Sequence, residues 1–186
     1  MAKKKSANNE ATQSASSGKP PLTLGAPEPK DYNIRSKPIF LITRGSDSEV
    51  VVFEADMVIR AGVQTQTLAL EEVLPLEVIS WEAVGVSQLL GGQKITFRTT
   101  RDVRSNVKPL SSGYFFPGKL SLEIMYEVFL EGVTASVTGE RVGTAEGRIT
   151  SMPPSPTDVF DLDKNAVDGL PLTLAGFSVV PIACAC

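Results

Sequence analysis

Beyond Pro38 the apolar residues recur at every second position, the period of a strand that buries one face and exposes the other. Over 49–60, Val51, Phe53, Ala55, Met57 and Ile59 share one face, while Glu54, Asp56 and Arg60 share the opposite one. Over 119–131 the alternation is cleaner still. Leu120, Leu122, Ile124, Tyr126, Val128 and Leu130 oppose Ser121, Glu123, Glu127 and Glu131. Further strands are predicted at 38–44, 76–86 around Trp81, 93–100, 133–138, 145–150 and 176–182. Turn-forming residues separate them: Gly45-Ser46-Asp47, Gly91-Gly92, Ser112-Gly113, Pro117-Gly118, Gly132, Gly139 and the proline-rich run 152–156. Only 65–74 and 86–90 admit a helical reading, and both are too short to support a parallel α/β sheet. The pattern predicts an all-β, antiparallel β-sandwich of jelly-roll type.

The first 30 residues carry none of this alternation. They are chiefly Lys, Ser, Asn, Gln, Ala, Gly and Pro, with almost nothing to bury against the entropy of ordering, so a disordered arm is expected over 1–30 and a folded body over 31–186. The net charge of −3 conceals a division. Residues 1–37 hold seven Lys/Arg against three Asp/Glu, a net of +4, and the remainder holds eleven against eighteen, a net of −7. A basic leader on an acidic body suggests a polyanionic partner for the leader.

The sequence has no histidine. The usual general base near neutral pH and the commonest zinc ligand are therefore missing, and Ser-His-Asp, Cys-His and His-Glu chemistry is excluded. Neither a Gly-x-Gly-x-x-Gly nor a P-loop spacing occurs, which leaves phosphate-bearing cofactors without their usual cradle. The expectation is a protein that is not an enzyme and takes no cofactor. Cys184 and Cys186 stand too close for an unstrained disulfide between them and are expected to form a thiol-bearing tail. No run of about 18 apolar residues and no signal-peptide core is present, so no membrane partner is expected.

The chemistry that remains is electrostatic. Lys3, Lys4, Lys5 and Lys19 in the arm are candidate phosphate contacts, since neutralised phosphates release condensed counterions whatever the base sequence. A second basic stretch, Lys94, Arg98, Arg101, Arg104 and Lys108 with Lys119 beyond it, adds to them. Strand alternation turns Lys94 and Arg98 away from Ile95 and Phe97, so these charges should face outward; a merely solvated face is the competing reading. Asp158, Asp161, Asp163 and Asp168 are closely spaced oxygen ligands of the kind Ca2+ prefers, here a candidate site between subunits. Ala166 and Leu172 stand where an EF-hand needs Gly and Glu, and an acidic surface loop is the simpler reading. Met125 and Phe129 lie on the polar side of the 119–131 strand, which suggests that this side meets another subunit or a second layer.

The segment 118–130, Gly-Lys-Leu-Ser-Leu-Glu-Ile-Met-Tyr-Glu-Val-Phe-Leu, resembles a late shell-domain strand of small positive-strand RNA plant virus coat proteins. The layout of a Lys-bearing arm ahead of a β body is similar to theirs. The resemblance implies a jelly-roll capsid subunit that self-assembles into a homo-oligomeric shell, packages single-stranded RNA and is found in the virion after synthesis in the host cytoplasm. About 55 residues follow a strand that comes near the end of those shell domains, which implies either a C-terminal extension from about 152 or a different place for this strand in the shell. Two other readings stand beside it: a viral movement or accessory nucleic-acid-binding protein, and a non-viral β-sandwich interaction module.

Overall fold

A computed structural model describes residues 27–66, 71–111, 113–162, 170–172 and 177–185. Among these the regular structure is all strand: β1 (Asp31–Arg44), β2 (Asp47–Val52), β3 (Glu54–Ala61), β4 (Thr65–Gln66), β5 (Glu72–Ser87), β6 (Gln93–Asp102), β7 (Ser105–Ser111), β8 (Tyr114–Leu130), β9 (Arg141–Ile149), β10 (Val159–Leu162), β11 (Leu170–Leu172) and β12 (Phe177–Ala185). All of the pairings are antiparallel.

The order β11-β12-β10-β9-β8-β6-β5-β3-β1-β2 is closed by a further pairing of β12 with β1, from Lys37↔Ala185 to Arg44↔Phe177. β2 and β3 are nearly continuous, as are β6 and β7, so the sheet is a meander of long hairpins curled into a flattened barrel. The antiparallel all-β class is as expected, and opposite walls pack on one another as in a sandwich. The connections differ from a jelly roll, whose Greek keys pair strands distant in sequence. Here each long strand pairs with its neighbour along the chain, because short turns such as Gly45-Ser46 and Gly91-Gly92 return the chain directly. Gly91 and Gly92 have φ of 74° and 82°, a region other residues rarely enter.

Several elements depart from expectation. β1 begins at Asp31 rather than Pro38, with Tyr32, Ile34, Ser36, Pro38, Phe40 and Ile42 alternating inward. The 49–60 run is broken after Val52, β7 carries few apolar residues, and β10 is only four residues long, so neither of these two stands out in the sequence. The 65–74 stretch contains strand at both ends, and 88–90 form a turn, so neither helical reading holds for the described residues. The predicted strand at 133–138 is a loop whose Val137 N–H donates to the Val128 carbonyl at 2.8 Å and whose side chain is buried. The chain after 152 supplies β10 and β12, and β12 closes the barrel against β1, so these strands belong to the wall.

Two clusters fill the interior. One holds Phe40, Ile42, Phe53, Ile95, Phe97, Val128 and Val179; the other holds Tyr32, Ile59, Leu74, Val107, Phe115, Leu120, Ile149 and Phe160. Trp81 packs against both. Phe40 stacks on Phe97 with ring centres 4.7 Å apart, and Phe53 meets both rings edge-on at 4.9 and 5.3 Å. Glycine at inward positions makes room: a Cβ on Gly85 would sit 2.8 Å from the Phe53 ring, and one on Gly147 2.5 Å from Phe160.

Candidate nucleic-acid and assembly surfaces

Alternation places Lys94 and Arg98 outward on β6, opposite the buried Ile95 and Phe97. Arg101 is exposed past the bulge of β6 against β8, and Arg104 is exposed in the short link to β7. Lys108 lies on the outer face of β7. Because β6 and β7 follow one another along the wall, Lys94 and Lys108 stand at opposite ends of that run and share no single patch. Lys3, Lys4, Lys5 and Lys19 lie outside the described residues.

Much of the band is matched by carboxylates. Arg98 donates to Glu82 at 3.0 and 2.8 Å, Lys108 meets Glu71 at 2.8 Å, and Lys119 meets Glu146 at 2.6 Å. Exposed pairs of this kind add little to stability. Their effect here is on the field, which they largely cancel at short range. The same pattern continues across the wall, where Arg35, Asp56, Glu82, Arg98 and Glu127 stand opposite one another on β1, β3, β5, β6 and β8. The densest basic row is one the sequence reading did not assemble: Lys108, Lys119 and Arg148 are cross-strand partners on β7, β8 and β9. Arg148 was legible as an outward residue between Gly147 and Ile149, but its neighbours in the row are 29 and 40 positions away.

Phe129 is half-buried beneath Arg98, whose guanidinium lies 5.4 Å from the ring centre, so this chain accounts for the aromatic on the polar side of β8. Asp158 is a loop organiser. It is buried, and its carboxylate accepts from the Ser155 N–H at 2.8 Å and from the Thr150 N–H and hydroxyl at 3.3 Å each. A bound cation would compete with those donors for the same oxygens. Asp161 is exposed on β10, Asp163 and Asp168 lie outside the described residues, and no group of three metal-ligating side chains occurs among the described residues. Cys184 belongs to β12 and packs against the core rather than lying in the expected thiol-bearing tail, while burial pushes its thiol pKa up and the Ser36 hydroxyl opposes that only in part; Cys186 lies outside the described residues.

The outer face of β12, β1 and β2 is different in kind. Register places Leu41 beside Val50 and Val180, and Ile39 beside Val52 and Ala183. Val50, Val52 and Ile182 are 59%, 53% and 41% exposed. No charged side chain interrupts these positions, and β2 pairs with β1 alone among the described strands. The result is an apolar sheet face beside an open strand edge.

Among known proteins, no family model, curated protein or solved structure matches this chain.

Proposed function

We propose that this chain is a structural subunit that self-associates through the outer face of β12, β1 and β2 and carries a basic leader to single-stranded RNA, in the manner of a virus coat protein. The observation that carries the proposal is the apolar, uncharged face around Leu41, Val50, Val52 and Ile182, lying next to an edge strand. Isolated domains seldom leave such an edge uncovered, because it templates pairing with another chain. A second copy offers the same valines and the same edge, so a two-fold contact buries the patch against itself. On this reading Lys3, Lys4, Lys5 and Lys19 make most of the RNA contact, which the ion-paired state of Arg98, Lys108 and Lys119 supports, and the Lys108, Lys119, Arg148 row is a secondary site.

The test is sedimentation and negative-stain imaging of the full chain with and without single-stranded RNA, at low and high salt. Closed particles that carry RNA and weaken as salt rises are the expected result. A monomer at high concentration and low salt overturns the proposal. Removal of residues 1–30 is expected to abolish RNA content and leave dimerisation intact. A second reading, an accessory protein that coats nucleic acid without closing a shell, is favoured by one observation: the strand order is not that of the jelly roll. Coated strands without closed particles in the same images would establish it.

A further inference from the structure

An apolar cavity of about 90 Å³ lies where the two core clusters meet. Ile34, Met57, Trp81, Phe97 and Tyr126 form much of its wall, and Ser36 projects into that wall from β1. Ser36 is 4% exposed, and its Oγ has no hydrogen-bond partner. The neighbouring Cys184 thiol, close enough for the Ser36 hydroxyl to hold its pKa down in part, is a weak partner at best for that hydroxyl. A buried hydroxyl left in this state is costly, and it is cheapest to satisfy from within the cavity.

Water is a poor occupant. A buried water needs two to four polar partners, and although Thr144 and Tyr126 line the cavity beside Ser36, the surface that the wall presents to it is almost wholly apolar. A cavity lined this way favours an apolar body instead. The volume is below the ~150 Å³ of an engineered cavity that holds benzene, so a ring-sized ligand must extend toward the exit. An exit exists. Ile34, Met57, Trp81 and Pro154 line both the cavity and a wider surface groove. The charged side chains of that groove are paired with one another, Arg35 with Asp56 at 3.4 Å and Arg98 with Glu82 at 2.8 Å. They present no uncompensated charge to an entering molecule.

We infer that the barrel interior is a binding site for a small neutral molecule with an apolar body and one hydroxyl group, the hydroxyl pairing with Ser36 Oγ and the body packing on Trp81 and Met57. The inference is independent of the assembly proposal, since it concerns the interior and needs no second copy.

Trp81 is the single tryptophan of the chain and lines the cavity, so its emission reports occupancy. The experiment titrates the full chain with cyclohexanol and, separately, with methylcyclohexane, which has the same shape without the hydroxyl. A saturable emission change with tighter binding of cyclohexanol is expected. Ser36→Ala should weaken cyclohexanol about five- to tenfold and leave methylcyclohexane unchanged, the effect of one neutral hydrogen bond. That variant removes an unsatisfied buried group, so it should fold, which its melting curve checks. Ala145→Leu, which fills the cavity from β9, should abolish both responses. Absence of a saturable response to either probe in the wild-type chain overturns the inference. Equal affinity for the two probes, or an unchanged cyclohexanol affinity in Ser36→Ala, overturns it as well.

Discussion

The carboxylate of Glu49 on β2 accepts a hydrogen bond from Ser87 Oγ at 2.6 Å and from the backbone N–H groups of Gln88 and Leu89 at 3.0 Å each. Ser87 Oγ in turn accepts from the Leu90 N–H at 3.2 Å. One side chain thus satisfies the donors of the turn between β5 and β6 and ties that turn to the edge strand.

Replacing Glu49 with Ala should destabilise the barrel by about 1–3 kcal/mol, the cost of leaving such donors without their charged acceptor. Burial alone would raise the Glu49 pKa, but its three hydrogen bonds outweigh burial and hold it below the ordinary value. A carboxyl whose folded pKa is depressed contributes stability above its unfolded pKa, and that contribution is lost as pH falls through the folded value. Urea midpoints measured from pH 6 to pH 3 should therefore fall less steeply for Glu49→Gln than for the wild type. Parallel curves would show that this contact does not set the acid limb.

Tyr126 gives the opposite limb. Burial pushes its phenol up to about 12, with Arg141 opposing the rise in part. A raised folded pKa contributes stability that is complete below the ordinary value of 10.0 and disappears as pH climbs toward 12. Tyr126→Phe should flatten the alkaline loss of stability between those values. Ultraviolet titration should show one phenol fewer ionising late in the variant.

Gly147 faces the core with Phe160 on one side and the Val159 carbonyl, 2.7 Å from a notional Cβ, on the other. Gly147→Ala should cost about 1–3 kcal/mol through overpacking, because backbone cannot retreat as a flexible side chain would. Phe97→Ala, which removes the ring shared by Phe40 and Phe53, should cost about 3–5 kcal/mol. Thermal or urea unfolding measures both, and a neutral Gly147→Ala would mean that β9 and β10 separate easily.

The apolar face makes a prediction that stability measurements cannot. Val50→Lys places a charge at a position that is 59% exposed in the monomer, so unfolding should change by less than about 0.5 kcal/mol. Self-association should nevertheless fall sharply, because an uncompensated charge would be buried at the contact. Sedimentation equilibrium separates the two effects. Undiminished assembly in this variant would move the interface elsewhere on the barrel.

The sequence by itself determined which residues face inward. Period-two alternation in 49–60, 93–98 and 119–131 names Phe53, Phe97, Leu120 and Val128 as core, since a strand's side chains must alternate whatever the strand pairs with. It also made the class all-β and set the leader apart by its lack of anything to bury. What only the tertiary structure decided is which strands are neighbours. Closure of the barrel by β12 on β1 joins residues some 140 positions apart. That same closure turns Cys184 into a core contact and the tail into wall. It also aligns Ile39, Leu41, Val50, Val52 and Ile182 into one surface. Charge followed the same rule: Arg98 and Lys108 were visible as cations, but the carboxylates that neutralise them, Glu82 on β5 and Glu71 just before it, are distant in sequence. Side-chain direction is a local property of the backbone, whereas partnership depends on which strands lie side by side and in what register, and for β12 against β1 no turn sets that register.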